Sequence, residues 1–377
     1  MSKQVLLIGA GYLAQYLIPC YERAFGADLA SCMRGIKGSE LHLMERQEVF
    51  PFPLQVLGTG VALRQMQPEV VLMAAKPNQV PAIAEEILAP YWEECRAQGR
   101  ELPVLYSFAP APDVGWLTRT LGEGALVCNM LPNMLRTIAG VPTAEAAISY
   151  LSFDPEARWS EEKRLAAMDF MRPTGQIIEI PGEQAAAFLA IHEGTHVVYE
   201  MTAICCDVLA QEGEELSYAA AAGAMRKALR KAIRREYRTP IPIAEGMPDK
   251  YQSFWDDLIF SYLNGILQYA FEVGIEPEKA ICKVAASMEM NLMFVQSATP
   301  AQMAAMTKSH ATKGGVLEKQ NTSFAEMGYE HVKDGWRDYL REAMDIWEES
   351  VFDDLMADIA YAIAEIVADH TASLAGV

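Results

Sequence analysis

Cations are scarce in this chain. Its 377 residues carry 31 lysines and arginines against 50 acids, a formal net charge of −19, which repels nucleic-acid phosphates and anionic membrane surfaces. No basic segment leading into an apolar stretch opens the sequence, and no uninterrupted apolar run reaches the length of a membrane span. A cytoplasmic protein with no membrane and no nucleic-acid partner is the expectation. The seven cysteines include no CxxC pair, and Cys205 stands beside Cys206, so they read as reduced packing residues rather than as a disulfide framework. Internal repeats and low-complexity linkers are lacking as well. At this length two domains are expected.

The most informative stretch is the start. A short apolar run, Val5-Leu6-Leu7-Ile8, meets Gly9-Ala10-Gly11-Tyr12-Leu13-Ala14 and then turns helical. A buried strand must deliver its backbone into a tight turn there. Gly9 supplies the unusual dihedrals, and Gly11 removes the Cβ that would hold a pyrophosphate away. The next helix offers its first N–H groups to that anion. Ala14 stands where a third glycine often packs helix on strand. The second strand is read at Asp28 to Met33, ending in Arg34 and followed by Lys37. A free ribose 2′-hydroxyl calls for an acid at that end and a 2′-phosphate for cations, so NADP(H) is favoured, with NAD(H) the alternative. Lys37 reads equally well as a solvated loop charge.

Extended and helical signals alternate through the first half. Strands are expected at Glu69 to Ala75, Leu102 to Ser107, Leu126 to Asn129, Ala146 to Phe153 and Gln176 to Ile180, with helices at Pro81 to Gln98 and Ser160 to Met171. This argues for a mainly parallel, doubly wound α/β sheet of the Rossmann type. From about Pro181 onward the texture is helical. The expected division is a dinucleotide-binding domain over residues 1–182 and an all-α substrate and dimerisation domain over 183–377. Its last stretch, Tyr329 to about Thr371, carries apolar residues at three- and four-residue steps, a core or interface stripe.

Several separated segments, in order, give a resemblance. Gly9 to Ala14, Ala74-Ala75-Lys76-Pro77-Asn78, Ser107-Phe108-Ala109, Asn129-Met130-Leu131-Pro132-Asn133, Thr312-Lys313-Gly314-Gly315 and Met327-Gly328-Tyr329 are similar to motifs of the pyrroline-5-carboxylate reductase family. The resemblance implies a nicotinamide-dependent reductase of a carbon–nitrogen double bond in a small carboxylate-bearing cyclic imine. Ala75, Lys76 and Ser107 would then lie along the cofactor. Pro77, Asn78, Pro132 and Asn133 would line the nicotinamide side of the cleft. Thr312, Gly314 and Gly315 would hold the substrate carboxylate, and pairing of the helical domains implies a homodimer or larger homo-oligomer.

Two departures bear on the substrate. Val316-Leu317 replace the family's paired threonines, and Lys313 replaces a proline, where it would pair directly with a carboxylate or stand as a solvated lysine. In addition, His192-Glu193-Gly194-Thr195-His196 replaces the segment that opens the family's first long helix. Three readings stay open for it: proton donors or substrate contacts at the cleft, histidines bonded at a domain interface, or a zinc site with a third ligand among Glu212, Glu214 and Glu215. The zinc reading would make the chain a hydrolase. A hydroxyacid dehydrogenase of the phosphogluconate type would want a lysine after His196 on the same helix, and none stands there. A cofactor-binding protein without catalysis is a further alternative. Finally, Arg226, Lys227, Arg230, Lys231, Arg234, Arg235 and Arg238 fall at helical spacing and suggest a solvated face, or one that docks on an acidic surface or anionic substrate.

Overall fold

The computed structural model describes residues 4–38, 43–48, 50–132, 148–211, 213, 215–237 and 252–304. Asn133, Thr312 to Gly315 and the stretch beyond Tyr329 lie outside these residues. The chain divides into two compact units, the first running to Ala186 and the second beginning at Ala187.

The first unit is built on one sheet of eight strands in the order β3-β2-β1-β4-β5-β6-β7-β8. These are β1 (Val5–Ile8), β2 (Met33–Lys37), β3 (Leu54–Val56), β4 (Val70–Met73), β5 (Val104–Ser107), β6 (Leu126–Leu131), β7 (Ile148–Phe153) and β8 (Gln176–Glu179). Strands β1 to β6 run parallel; β7 is antiparallel to β6, and β8 follows β7. The helices between them are α1 (Tyr12–Phe25), α2 (Ala27–Cys32), α3 (Leu43–Gln47), α4 (Thr59–Met66), α5 (Val80–Ile83), α6 (Ala89–Ala97), α7 (Val114–Leu121) and α8 (Glu161–Met171). The apolar run at β1 is explained by burial on both faces. Val5 and Leu7 join one core with Leu17, Tyr21 and Phe170, while Leu6 and Ile8 join the other with Leu88, Trp92 and Leu117. This is the expected doubly wound Rossmann-type sheet, with its last two strands reversed.

The second strand falls later than the spacing suggests. Residues 27–32 form α2, in which Leu29 and Cys32 are buried three positions apart, a helical rather than an alternating interval. Ser31 Oγ donates to the Asp28 carbonyl at 2.8 Å, a side-chain bond that suits a helical turn. The strand proper begins at Met33. Between α5 and α6 the helix expected at Pro81 to Gln98 widens into a π turn, Ala84–Leu88. Pro90, lacking an N–H, cannot bond back to the carbonyl four residues earlier. Helix α8 starts as the sequence indicates, with Ser160 Oγ accepting from the Lys163 N–H at 3.2 Å.

The described part of the second unit is helical: α9 (Ala185–Gly194), whose first two residues belong to the first unit, then α10 (Val198–Gln211), α11 (Tyr218–Tyr237), α12 (Gln252–Glu272) and α13 (Pro277–Ser297). Three cations of the basic stripe are engaged within this unit. Arg226 and Arg230 of α11 turn toward α13, where both bond Glu289, the Arg226 Nη2 at 2.6 Å. Arg226 also bonds Gln296, and Lys231 pairs with Asp256 of α12. These three cations tie helices of their own unit together. Burial pushes the Glu289 carboxyl up, but hydrogen bonds from Arg230 and Arg226 and their charges outweigh it and hold the group below the usual range.

Replacing Glu289 by Gln should therefore cost about 3 kcal/mol of unfolding free energy at neutral pH, because two largely buried guanidiniums lose their counter-charge. The carboxylate's contribution is complete above the unfolded value near ~4.3 and is lost as pH falls through the lower folded value. Denaturant titrations should thus show parent and variant converging in acid; a gap independent of pH contradicts the assignment.

Candidate functional site

At the carboxyl ends of β1 to β4 lies a cleft of about 770 Å³, lined among others by Gly9, Gly11, Lys37, Ala75, Lys76 and Asn78. The strand order reverses direction here, between β1 and β4, the place where open parallel sheets bind ligands. Gly9 has φ +93°, and a Cβ on it would come within 2.7 Å of the Ala74 carbonyl oxygen. Only glycine fits. Gly11 is the N-cap of α1 with extended dihedrals, and a Cβ there would meet no atom within 4 Å. The first turn of α1 holds no acid and has no side-chain cap, so its N–H groups and the positive end of its dipole suit an anion. The backbone thus fits a pyrophosphate, its glycines leaving the approach open. Leu13 and Ala14 face the core beneath, and Ala14 is fully buried. Tyr12 opens the helix.

Arg34 is not among the residues that line this cleft. It lies three positions before the end of β2, roughly 10 Å back along the strand and on the opposite face from Lys37. Its Nη1 donates to the carbonyls of Ala30 and Met33, at 3.0 and 2.8 Å. Lys37 ends the strand and lines the cleft. Pro77 opens a 3-10 turn, Pro77–Gln79, in which Gln79 Oε1 accepts from the Lys76 N–H at 3.4 Å and so shapes the cleft's wall. Ser107, also buried, accepts from the Ala109 N–H at 3.4 Å and lies across from Asn129 in register. Asn129 in turn donates to the Ala109 carbonyl. These two hold the loop after β5. Pro132 follows β6 and is partly buried.

The second unit brings His192 and His196 together, though not on one helix. Helix α9 ends at Gly194, a 3-10 turn covers Thr195–Val197, and α10 starts at Val198. The two rings meet edge to face, centroids 5.2 Å apart. Side chains bond three of the carbonyls at this break. Thr195 Oγ1 donates to the His192 carbonyl at 2.6 Å, Tyr262 Oη to that of Gly194 at 2.6 Å, and Asn291 Nδ2 to that of Thr195 at 3.1 Å. Tyr199 Oη donates to Asn291 Oδ1 at 2.7 Å, and His192 Nδ1 lies 3.2 Å from Ser287 Oγ. Close by, burial pushes the Glu200 carboxyl up to about 7, against the opposing charge of His196. Among the described residues no three His, Cys, Asp or Glu side chains converge to hold a metal. None of the seven cysteines is in a disulfide, and Cys282 alone of them is exposed.

Ser287, Asn291, Tyr199, Tyr262 and the buried Lys283 were not legible as site residues. Their polar atoms sit on otherwise apolar helices, and only the four-residue spacing of Lys283, Ser287 and Asn291 marks a common stripe.

No family model matches the chain, and no curated protein matches it. Solved structures similar to it include Plasmodium falciparum pyrroline carboxylate reductase with NADP bound (14% identity, 76% of this chain and 100% of that one, TM-score 0.47). Others are a pyrroline-5-carboxylate reductase from Coxiella burnetii (17%, 77% and 99%, TM-score 0.47) and prephenate dehydrogenase from A. aeolicus (12%, 91% and 96%, TM-score 0.39).

Two outcomes follow. Gly9→Ala should lose about 2–4 kcal/mol of stability, from positive φ and the Ala74 contact, whereas Gly11→Val should stay within about 0.5 kcal/mol of the parent. Equal losses in denaturant melts contradict the geometry. Glu200, held protonated by burial, contributes stability that is complete below the unfolded value near ~4.3 and lost as pH rises through about 7. Glu200→Gln should flatten the decline in unfolding free energy over that window; an unchanged slope counts against the buried carboxyl.

Proposed function

We propose that the chain is an NADP(H)-dependent oxidoreductase of the cytoplasm that reduces the carbon–nitrogen double bond of a small, carboxylate-bearing cyclic imine. The observation that supports it most is the Gly9–Gly11 turn at the β1/β4 switch point, with Lys37 and Lys76 lining the same cleft. In this reading residues 1–182 hold the dinucleotide, and residues 183–377 supply the substrate side and the surface for a second subunit. Lys37, rather than Arg34, pairs with the ribose 2′-phosphate, since it ends β2 beside the cleft. The substrate half rests on the likeness of Thr312-Lys313-Gly314-Gly315 and Pro132-Asn133 to the reductase motifs.

The residues have few tasks. A bound nicotinamide supplies the hydride. The chain must hold the imine carbon at contact distance, neutralise the carboxylate, and deliver a proton to nitrogen. Backbone N–H groups of Gly314 and Gly315, the Thr312 hydroxyl and the Lys313 ammonium serve the carboxylate; His192 or His196 serves the nitrogen. Lys313 exchanges the directional hydroxyl contacts of paired threonines for a stronger point charge. A second reading, a hydroxyacid dehydrogenase, is favoured by one observation, the lysine buried on α13 at Lys283.

The test is NADPH oxidation across a panel of cyclic imino acids and 2-hydroxy acids. Carboxylate-bearing imines should be reduced, with turnover falling at least tenfold in His192→Gln or His196→Gln. Lys37→Ala should raise the KM for NADPH about tenfold, one lost charge-assisted contact, and leave that for NADH unchanged. Oxidation of hydroxy acids with no imine turnover would support the second reading, and cofactor binding without turnover of any kind would leave a non-catalytic binder.

A further inference from the structure

A second concavity, of about 640 Å³, opens in the first unit at the edge of the sheet away from the dinucleotide cleft. Leu126 lines it at the amino end of β6, and Asp154 lines it just past the carboxyl end of the antiparallel β7. Asp154 is its unusual member, a carboxylate only 5% exposed. Its Oδ1 accepts from the Glu156 N–H at 2.9 Å, and no described residue bonds the other oxygen. A carboxylate so far removed from water ordinarily finds a cation. Arg119 of α7 and Arg158 of the turn into α8 line the same groove, both exposed, yet neither forms an ion pair with Asp154 or with any other described residue. Glu123 and Glu156, also on the groove and exposed, make no ion pair with a described residue either. Lys163 does, with Glu101 at 2.9 Å. The groove thus holds charges of both signs without neutralising them internally.

We propose that this groove is a second ligand site and that it takes a free amino acid: the ligand's ammonium donates to the open Asp154 oxygen, and its carboxylate accepts from the Arg158 guanidinium, with Arg119 adding positive charge at the rim. An ammonium satisfies a buried carboxylate by a charge-assisted hydrogen bond, and a planar guanidinium meets a carboxylate through paired N–H donors. A simple amine would leave the arginines unmatched. A simple anion would face Asp154, Glu123 and Glu156 with nothing to offer them. A bound metal ion fits less well, since among the described residues no three ligating side chains converge. The volume leaves room for an amino-acid side chain beside Leu126. The site needs neither the nicotinamide nor the imine of the reaction proposed above.

Nitrogen-15 NMR of the full chain reads the site at the backbone amides of Gly122, Gly124 and Ala157, which line it, with the standard amino acids added singly at about 10 mM. At least one should shift these amides saturably. For that amino acid, the matching amine without the carboxylate and the matching acid without the ammonium should each bind about tenfold more weakly, the worth of one charge-assisted contact. Arg158→Ala, at an exposed position, should weaken binding about tenfold, and Asp154→Asn at least as much. An unchanged affinity in Arg158→Ala overturns the proposal, whether or not Asp154→Asn folds. So does a set of amino acids none of which moves the three amides. Equal binding of the amine or the acid alone marks an adventitious ion only and overturns it too. The titration contains no nicotinamide and no imine, so its failure and the failure of the reductase reading are told apart.

Discussion

The backbone of β1 passes so close to that of β4 that only a glycine can end the strand. Gly9 donates its N–H to the Ile36 carbonyl at 3.1 Å on one side, while the Ile8 carbonyl accepts from Ala74 at 2.8 Å on the other. A side chain at Gly9 would have to occupy the space of the Ala74 carbonyl oxygen. Much follows from this contact. It allows a fully buried strand to be clasped by parallel neighbours on both sides, turns the chain abruptly into α1, and points that helix's N-terminus into the space where the strand order reverses. The cleft is the gap created by this turn, and its suitability for an anion comes from backbone groups whose positions the sheet sets.

The second unit meets a different constraint with different means. Where the helix gives way to a 3-10 turn at Thr195–Val197, side chains from other helices bond its backbone as well. Tyr262 and Asn291 come from separate helices to do so. The break is thereby tied to α12 and α13. Glu289 acts similarly between α11 and α13, where it neutralises two arginines that the interior would otherwise not tolerate.

What the sequence discloses follows this division. The doubly wound sheet was readable because strands buried on both faces are continuous apolar runs, and the glycine turn because backbone geometry dictates residue type. Residues 27–32 misled because Leu29 and Cys32 sit in a six-residue helix too short to show a period, so that the second strand was read five positions early. The arginine stripe on α11 was visible, yet its direction was not, since Glu289 lies about sixty residues away in the chain. The polar contacts around His192 share that long-range character. Serine and asparagine on a helix carry no local mark of the histidine they will meet.

If the chain is the reductase proposed, its Gly9–Gly11 cleft binds a dinucleotide with a 2′-phosphate. Fluorescence titration of the purified chain with NADPH and, in parallel, with NADH tests it most directly. Saturable binding of both, tighter for NADPH, is the predicted result. Saturable binding of neither would contradict the account at its foundation.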